Sequence, residues 1–111
     1  MEVSNQPFKH CDLVTVTGRV DSATAPKLGE ALEQIQNDGR FKIVLDLAGV
    51  DFMSSAGFRV LVATQRNCKR FNRGEILLAA VPANIQSALE LAGFDAILRT
   101  FPDATSAVGS F

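Results

Sequence analysis

Histidine and cysteine are scarce in this sequence. There is one histidine, His10, and two cysteines, Cys11 and Cys68, which form no CxxC pair. That inventory is too thin for a zinc site, which needs a clustered ligand set, so no metal is expected. The two thiols read as reduced and partly buried rather than paired. Net charge is almost absent too: 11 Lys plus Arg against 12 Asp plus Glu leave a formal charge of -1. Such a balance projects no general field toward nucleic acid or an anionic membrane, although a local basic patch stays open. No apolar run approaches the ~20 residues of a membrane span. The opening MEVSNQPFKH lacks the basic-then-apolar pattern of a secretory signal. The expectation is a cytoplasmic protein with no membrane span and no nucleic-acid partner. Neither GxxxxGK[ST] nor GxGxxG occurs, so nucleotide hydrolysis and a dinucleotide cofactor are unsupported, and no cofactor is expected.

What is present is apolar and periodic. Of 111 residues, 47% are apolar, enough for one core and one domain over residues 1–111. Residues 12–17, DLVTVT, alternate and are rich in β-branched types, which predicts a strand with one buried face. After Gly18 and Arg19-Val20-Asp21, Thr24 is the expected N-cap of a helix with Pro26 in its first turn. Leu28, Ala31, Leu32 and Ile35 give that helix its apolar face, and Asn37-Asp38-Gly39 ends it.

The run FKIVLDL at 41–47 predicts a mostly buried strand, followed by a turn over Ala48–Asp51 and a short apolar bridge at Phe52-Met53. From Ser55 the pattern is helical, with a stripe of Phe58, Leu61, Val62 and Cys68. Arg66, Lys69, Arg70 and Arg73 gather near its C-terminal end, where cations complement the helix dipole, and Gly74 is the expected stop. Residues 76–81 read as a buried strand closed by Pro82. Ile85, Ala88, Leu89 and Ala92 line a third helix followed by Gly93. Residues 95–101 read as a short edge strand, and Asp103 caps a last helix through Ala107 and Val108. The alternation predicts an α/β domain: a mixed sheet of about four to five strands packed by about four helices.

Ser54 and Ser55 fall where a buried strand hands over to a helix. One serine there is explained by capping the unpaired N–H groups of the helix start. The second points elsewhere, and an exposed hydroxyl at that place is suited to phosphorylation, because a helix N-terminus tolerates an anion. A partner surface laid over the bare hydroxyl would then meet a dianion. The same strand–serine–helix order describes a hydrolase nucleophile elbow. But MSSAG at 53–57 lacks the first glycine of GxSxG, and the sole histidine lies upstream. A serine without a base is a poor nucleophile, so no enzyme is expected.

The segment Asp46-Leu47, Val50, Phe52-Met53, Ser54-Ser55-Ala56-Gly57-Phe58 resembles the signature of STAS domains, specifically the bacterial anti-sigma factor antagonists. Gly18-Arg19-Val20-Asp21 with Thr24-Ala25 and Leu28, and Leu91-Ala92-Gly93-Phe94, resemble further family stretches, so the likeness spans roughly residues 8–108. The resemblance implies an antagonist that, unphosphorylated, binds an anti-sigma factor serine kinase of ATPase fold and so releases a sigma factor. Phosphorylation by that kinase switches it off, and a phosphatase resets it. By this resemblance Ser55 is the phospho-acceptor. Ser54 stands at the family's usual acidic position and is a second candidate. Asp21, Ser54, Ser55, Ala56, Gly57, Phe58 and Arg59 are the expected partner-binding residues, on a monomer or weak dimer. Asp21 also reads as a turn residue capping the helix that follows it. The alternative is a STAS binding module of a sensory or lipid-transport complex that is never phosphorylated.

Overall fold

Strict alternation makes β2 (Asp12–Val20) the organising strand of the computed structural model, which describes residues 1–111. Val14 and Val16 face one side of the sheet, Leu13 and Thr15 the other. β3 (Lys42–Met53) and β4 (Glu75–Ala79) run parallel to it and sort in the same way. Ile43, Leu45, Leu47, Ile76 and Leu78 join the main core, while Val44, Leu77 and Ala79 face the opposite side. With β1 (Glu2–Pro7) and β5 (Arg99–Phe101) the sheet has five strands in the order β1-β2-β3-β4-β5; β1 is antiparallel and the rest are parallel.

The main core is closed by α1 (Ala25–Asn37), through Leu28, Leu32 and Ile35, and by α2 (Ser55–Lys69), through Phe58, Leu61 and Cys68. α3 (Ala83–Leu91) adds Ile85 and Leu89. α4 (Ala104–Gly109) covers the other face, where Ala107 packs on Cys11, Val44 and Leu77. Asp103 caps it as expected, accepting from the Ser106 N–H at 2.7 Å. The expected α/β class, with its mixed sheet and four helices, is the observed one.

Four local expectations are corrected. Ala48–Asp51 is not a turn: β3 continues to Met53 because β2 extends beside it, and two register shifts each place an extra β3 residue against β2. The helix begun at Ser55 ends at Lys69 rather than at Gly74, and passes into a single 3-10 turn over Arg70–Asn72. Gly74 serves another purpose: a Cβ there would sit 2.3 Å from the Phe41 carbonyl oxygen. Only Arg99–Phe101 of the 95–101 segment is a strand, because Phe94–Ala96 forms a 3-10 turn. β1, finally, is a strand where none was expected.

Three buried side chains complete the frame. Gln65 is buried in α2; its side chain accepts from the Ile76 N–H at 2.7 Å and donates to the Ile97 carbonyl at 3.0 Å, tying the helix to β4 and to the approach to β5. Both cysteines are free and buried. Burial pushes the Cys68 thiol up to about 11, against the pull of Arg73. Burial and the Asp12 charge raise Cys11, against the pull of Arg40. Since the thiolate is the nucleophile, neither cysteine should be alkylated by iodoacetamide in the native protein at neutral pH, and both should label in denaturant. Native labelling of either, read by mass spectrometry, would contradict this burial.

Candidate functional site

β2 and β3 end side by side, with Val20 opposite Met53. The Ser54 N–H donates to the Val20 carbonyl at 2.8 Å, so the loop starting at Asp21 and the mouth of α2 are neighbours. Asp21 holds that loop. Its carboxylate accepts from the Ala23 N–H at 3.0 Å, the Thr24 N–H at 3.1 Å and Arg19 Nε at 3.3 Å. The Thr24 N–H bond is the largest influence holding the Asp21 carboxyl below its ordinary range; the Thr24 hydroxyl, the Ala23 N–H and Arg19 add to it. Thr24 stands at the N-cap of α1, but its hydroxyl makes no cap bond and instead donates to the Arg19 carbonyl at 2.9 Å. Asp21 therefore ties down the turn that leads into the helix Thr24 was expected to cap.

The serine pair divides its labour. Ser54 has the extended backbone of an N-cap, and its carbonyl accepts from the Phe58 N–H at 3.1 Å. Yet its hydroxyl caps nothing: Oγ is shut off from solvent and has no hydrogen-bond partner. Ser55, the first residue of α2, is exposed. One turn on, Arg59 donates from Nη2 to Ser55 Oγ at 3.4 Å. A cation one turn into α2 thus stands beside the exposed hydroxyl.

Gly57 explains why the helix can start here. A Cβ at 57 would lie 2.6 Å from Met53 Cγ and 2.9 Å from Val20 Cγ1, so glycine lets α2 sit directly on the ends of β2 and β3. Phe58 turns inward, its ring centroid 6.2 Å from that of Phe94. Ala56 is half-buried against the same core. Of the seven residues expected to meet a partner, Asp21, Ser55 and Arg59 thus offer side chains to the surface. Gly57 and Phe58 support that surface from beneath, and the Ser54 hydroxyl lies behind it. Arg19 and Phe52 join the surface without having been expected there. They are cross-strand neighbours, with the guanidinium 4.2 Å from the ring centroid. Reading 48–51 as a turn hid that pairing.

An N-cap serine normally contributes about 0.5–2 kcal/mol, which its alanine variant loses. Ser54→Ala removes no bond here and deletes a buried unsatisfied hydroxyl. Stability should stay level or rise by about 1 kcal/mol in urea unfolding. A loss of that size instead would mean the hydroxyl does cap the helix.

His10 precedes β2, while Ser55 follows β3, and the two strands are parallel. Imidazole and hydroxyl therefore stand at opposite ends of the sheet, and Ser55 has no histidine base.

The family model described as "Mlab, STAS domain" matches residues 6–100. The chain is 32% identical over 94 residues to BtrV of Bordetella bronchiseptica, named as an anti-sigma factor antagonist; the match covers 85% of this chain and 78% of that one. The crystal structure of an anti-sigma factor antagonist from Mycobacterium paratuberculosis superposes with a TM-score of 0.89 at 24% identity, covering 98% of this chain and 92% of that one. The Bacillus cell fate determinant SpoIIAA in its phosphorylated form superposes with a TM-score of 0.76 at 11% identity, covering 98% of each chain. These two likenesses are likenesses of fold.

Proposed function

The chain belongs to the STAS domain family, and from that premise we propose that it is an anti-sigma factor antagonist switched by phosphorylation at Ser55. Bare, it binds an anti-sigma factor kinase through the mouth of α2 and frees the sigma factor. Phosphorylated at Ser55, it lets go, and a phosphatase resets it. It works by binding, not by catalysis. The observation that carries this reading is the division between the two serines: the Ser55 hydroxyl is exposed beside Arg59, while that of Ser54 is enclosed. Only the former is reachable by a kinase without opening the helix mouth. That SpoIIAA, of the same fold, exists in a phosphorylated form fits a fold that accommodates the modification.

The test is incubation with the cognate kinase and ATP, followed by peptide mass spectrometry. Phosphate should appear on residue 55 and not on 54. Phosphate on 54 would overturn the assignment. A chain that binds the kinase yet stays bare would be a binding module of the same fold that is never phosphorylated.

A further inference from the structure

The end of the sheet opposite Ser55 is cationic. Lys9, Arg40, Lys42 and Arg73 line a cleft of about 190 Å³ where the parallel strands begin. α2 ends beside it and brings Arg66, Lys69 and Arg70. Of these cations only Arg40 has a carboxylate partner, Asp12; Glu75, which pairs with Lys42 in the strand register, holds Arg99 instead. Asp12, paired with Arg40, and the unpaired Asp38 beside Gly39 are the acids next to the cleft, so this end of a chain whose charges nearly cancel still carries an excess of positive charge.

Phe71 stands in the middle of this charge. The residue is 82% exposed. Its backbone is left-handed, at φ 56° and ψ 23°, and Asn72 follows at φ 56°. Asparagine accepts that conformation, but a bulky aromatic residue does not adopt it freely. Backbone strain therefore holds an apolar ring out in water. The guanidinium groups of Arg70 and Arg73 lie 5.3 and 5.8 Å from the ring centroid. Arg73 also stacks 3.9 Å over Phe41 and lines the cleft, so ring and cleft form one continuous surface.

We propose that this end docks reversibly on anionic phospholipid membranes, with headgroup phosphates at the cationic cleft and Phe71 in the acyl layer. A protruding aromatic ring among unpaired basic side chains matches a surface that is negatively charged outside and apolar just beneath. An acidic protein segment would satisfy the cations but gives no reason for the ring. Single-stranded nucleic acid is held by a groove with successive stacking rings, whereas here one ring stands out, at 82% exposure. One ring and a handful of cations give weak, reversible attachment. Docking this end leaves the Ser55 face turned away from the bilayer and open to a protein partner. The inference rests on residues that the partner-switching reading does not use.

The test is flotation of the full chain with phosphatidylcholine vesicles, with and without phosphatidylglycerol. Binding is expected only with phosphatidylglycerol present, and it should fade between about 0.1 and 0.5 M salt. Phe71→Asn should weaken it about tenfold or more. The same variant should keep or raise the melting temperature, because asparagine suits the left-handed backbone. Arg70→Gln and Lys42→Gln should each weaken binding about fivefold. The proposal fails if vesicles with phosphatidylglycerol float no protein, if pure phosphatidylcholine floats as much, or if Phe71→Asn floats like the wild type. It fails also if polyglutamate or a single-stranded oligonucleotide binds more tightly than the vesicles at equal salt.

Discussion

A phosphate on Ser55 should lower affinity for the proposed anti-sigma partner about a hundredfold and leave the fold unchanged. The two halves of this expectation come from one group in two surroundings. In the free protein the phosphate, carrying about -1.5 to -2 charges, sits on the exposed first residue of α2. Unpaired backbone N–H groups and the helix dipole favour an anion there by about 0.3–1 kcal/mol. Arg59, already 3.4 Å from Oγ, gives it a counter-ion. Nothing in the core moves, so the melting temperature should shift by no more than a few degrees. Under a partner the same group must shed water, which costs several kcal/mol unless the partner supplies charge for it. Arg59 offsets part of that. If about 3 kcal/mol remains, affinity falls about a hundredfold. Ser55→Glu, with one charge on a shorter reach, should lose about tenfold, and Ser55→Ala should bind like the bare protein. Calorimetric titration of all four forms against the partner, with melting curves in parallel, decides it. A phosphorylated form that binds as tightly as the bare one, or that unfolds, would sink the switch.

The elements legible in the sequence are those whose own periodicity matches their burial. DLVTVT alternates and is half-buried; the stripes of α1, α2 and α3 repeat at helical spacing and face the core, except that Ala92 lies just past α3 and is exposed. β1 was illegible because EVSNQP holds one apolar residue among polar ones and is mostly exposed. Its strand form comes from pairing with β2 across a turn closed by the Phe8 N–H to Cys11 carbonyl bond, a tertiary cause with no local signature.

Two misread glycines share a different cause. Gly49 suggested a turn and Gly74 a helix stop, yet each lacks a side chain because another chain segment approaches closely. A Cβ at 49 would meet Thr17 Cγ2 at 2.8 Å, and one at 74 the Phe41 carbonyl oxygen at 2.3 Å. A sequence does not distinguish glycine kept for backbone freedom from glycine kept for contact. The site was half-legible for a related reason. The serine pair marked a helix mouth, but both serines carry the same chemistry. Which hydroxyl faces water depends on how α2 seats on the ends of β2 and β3, a close approach that Gly57 permits.

Replacing Arg40 by alanine should destabilise the protein by about 3 kcal/mol, a large share of a small domain's stability. Asp12 is 2% exposed, and its carboxylate is held by Arg40 Nε on one oxygen and by Asn5 Nδ2 at 2.9 Å on the other. Arg40 also donates to the Phe8 carbonyl at 2.6 Å and the Cys11 carbonyl at 3.1 Å. One guanidinium therefore ties the loop after α1 to both ends of the β1–β2 turn. Its removal leaves a buried carboxylate with a single neutral donor and two carbonyls without this partner. The Arg40 side chain is itself 37% exposed, so water can take up part of what it leaves, which places the loss near the low end of the usual range for a broken buried pair. The asymmetry of the pair supplies the decisive comparison. Asp12→Asn leaves a cation that can turn toward solvent, and should lose only about 1–2 kcal/mol. Combined with Arg40→Ala, it removes the buried charge, so the double variant should be more stable than Arg40→Ala alone. Urea unfolding of the four proteins closes the cycle. Strictly additive losses would show that the buried charge is not what makes Arg40 indispensable.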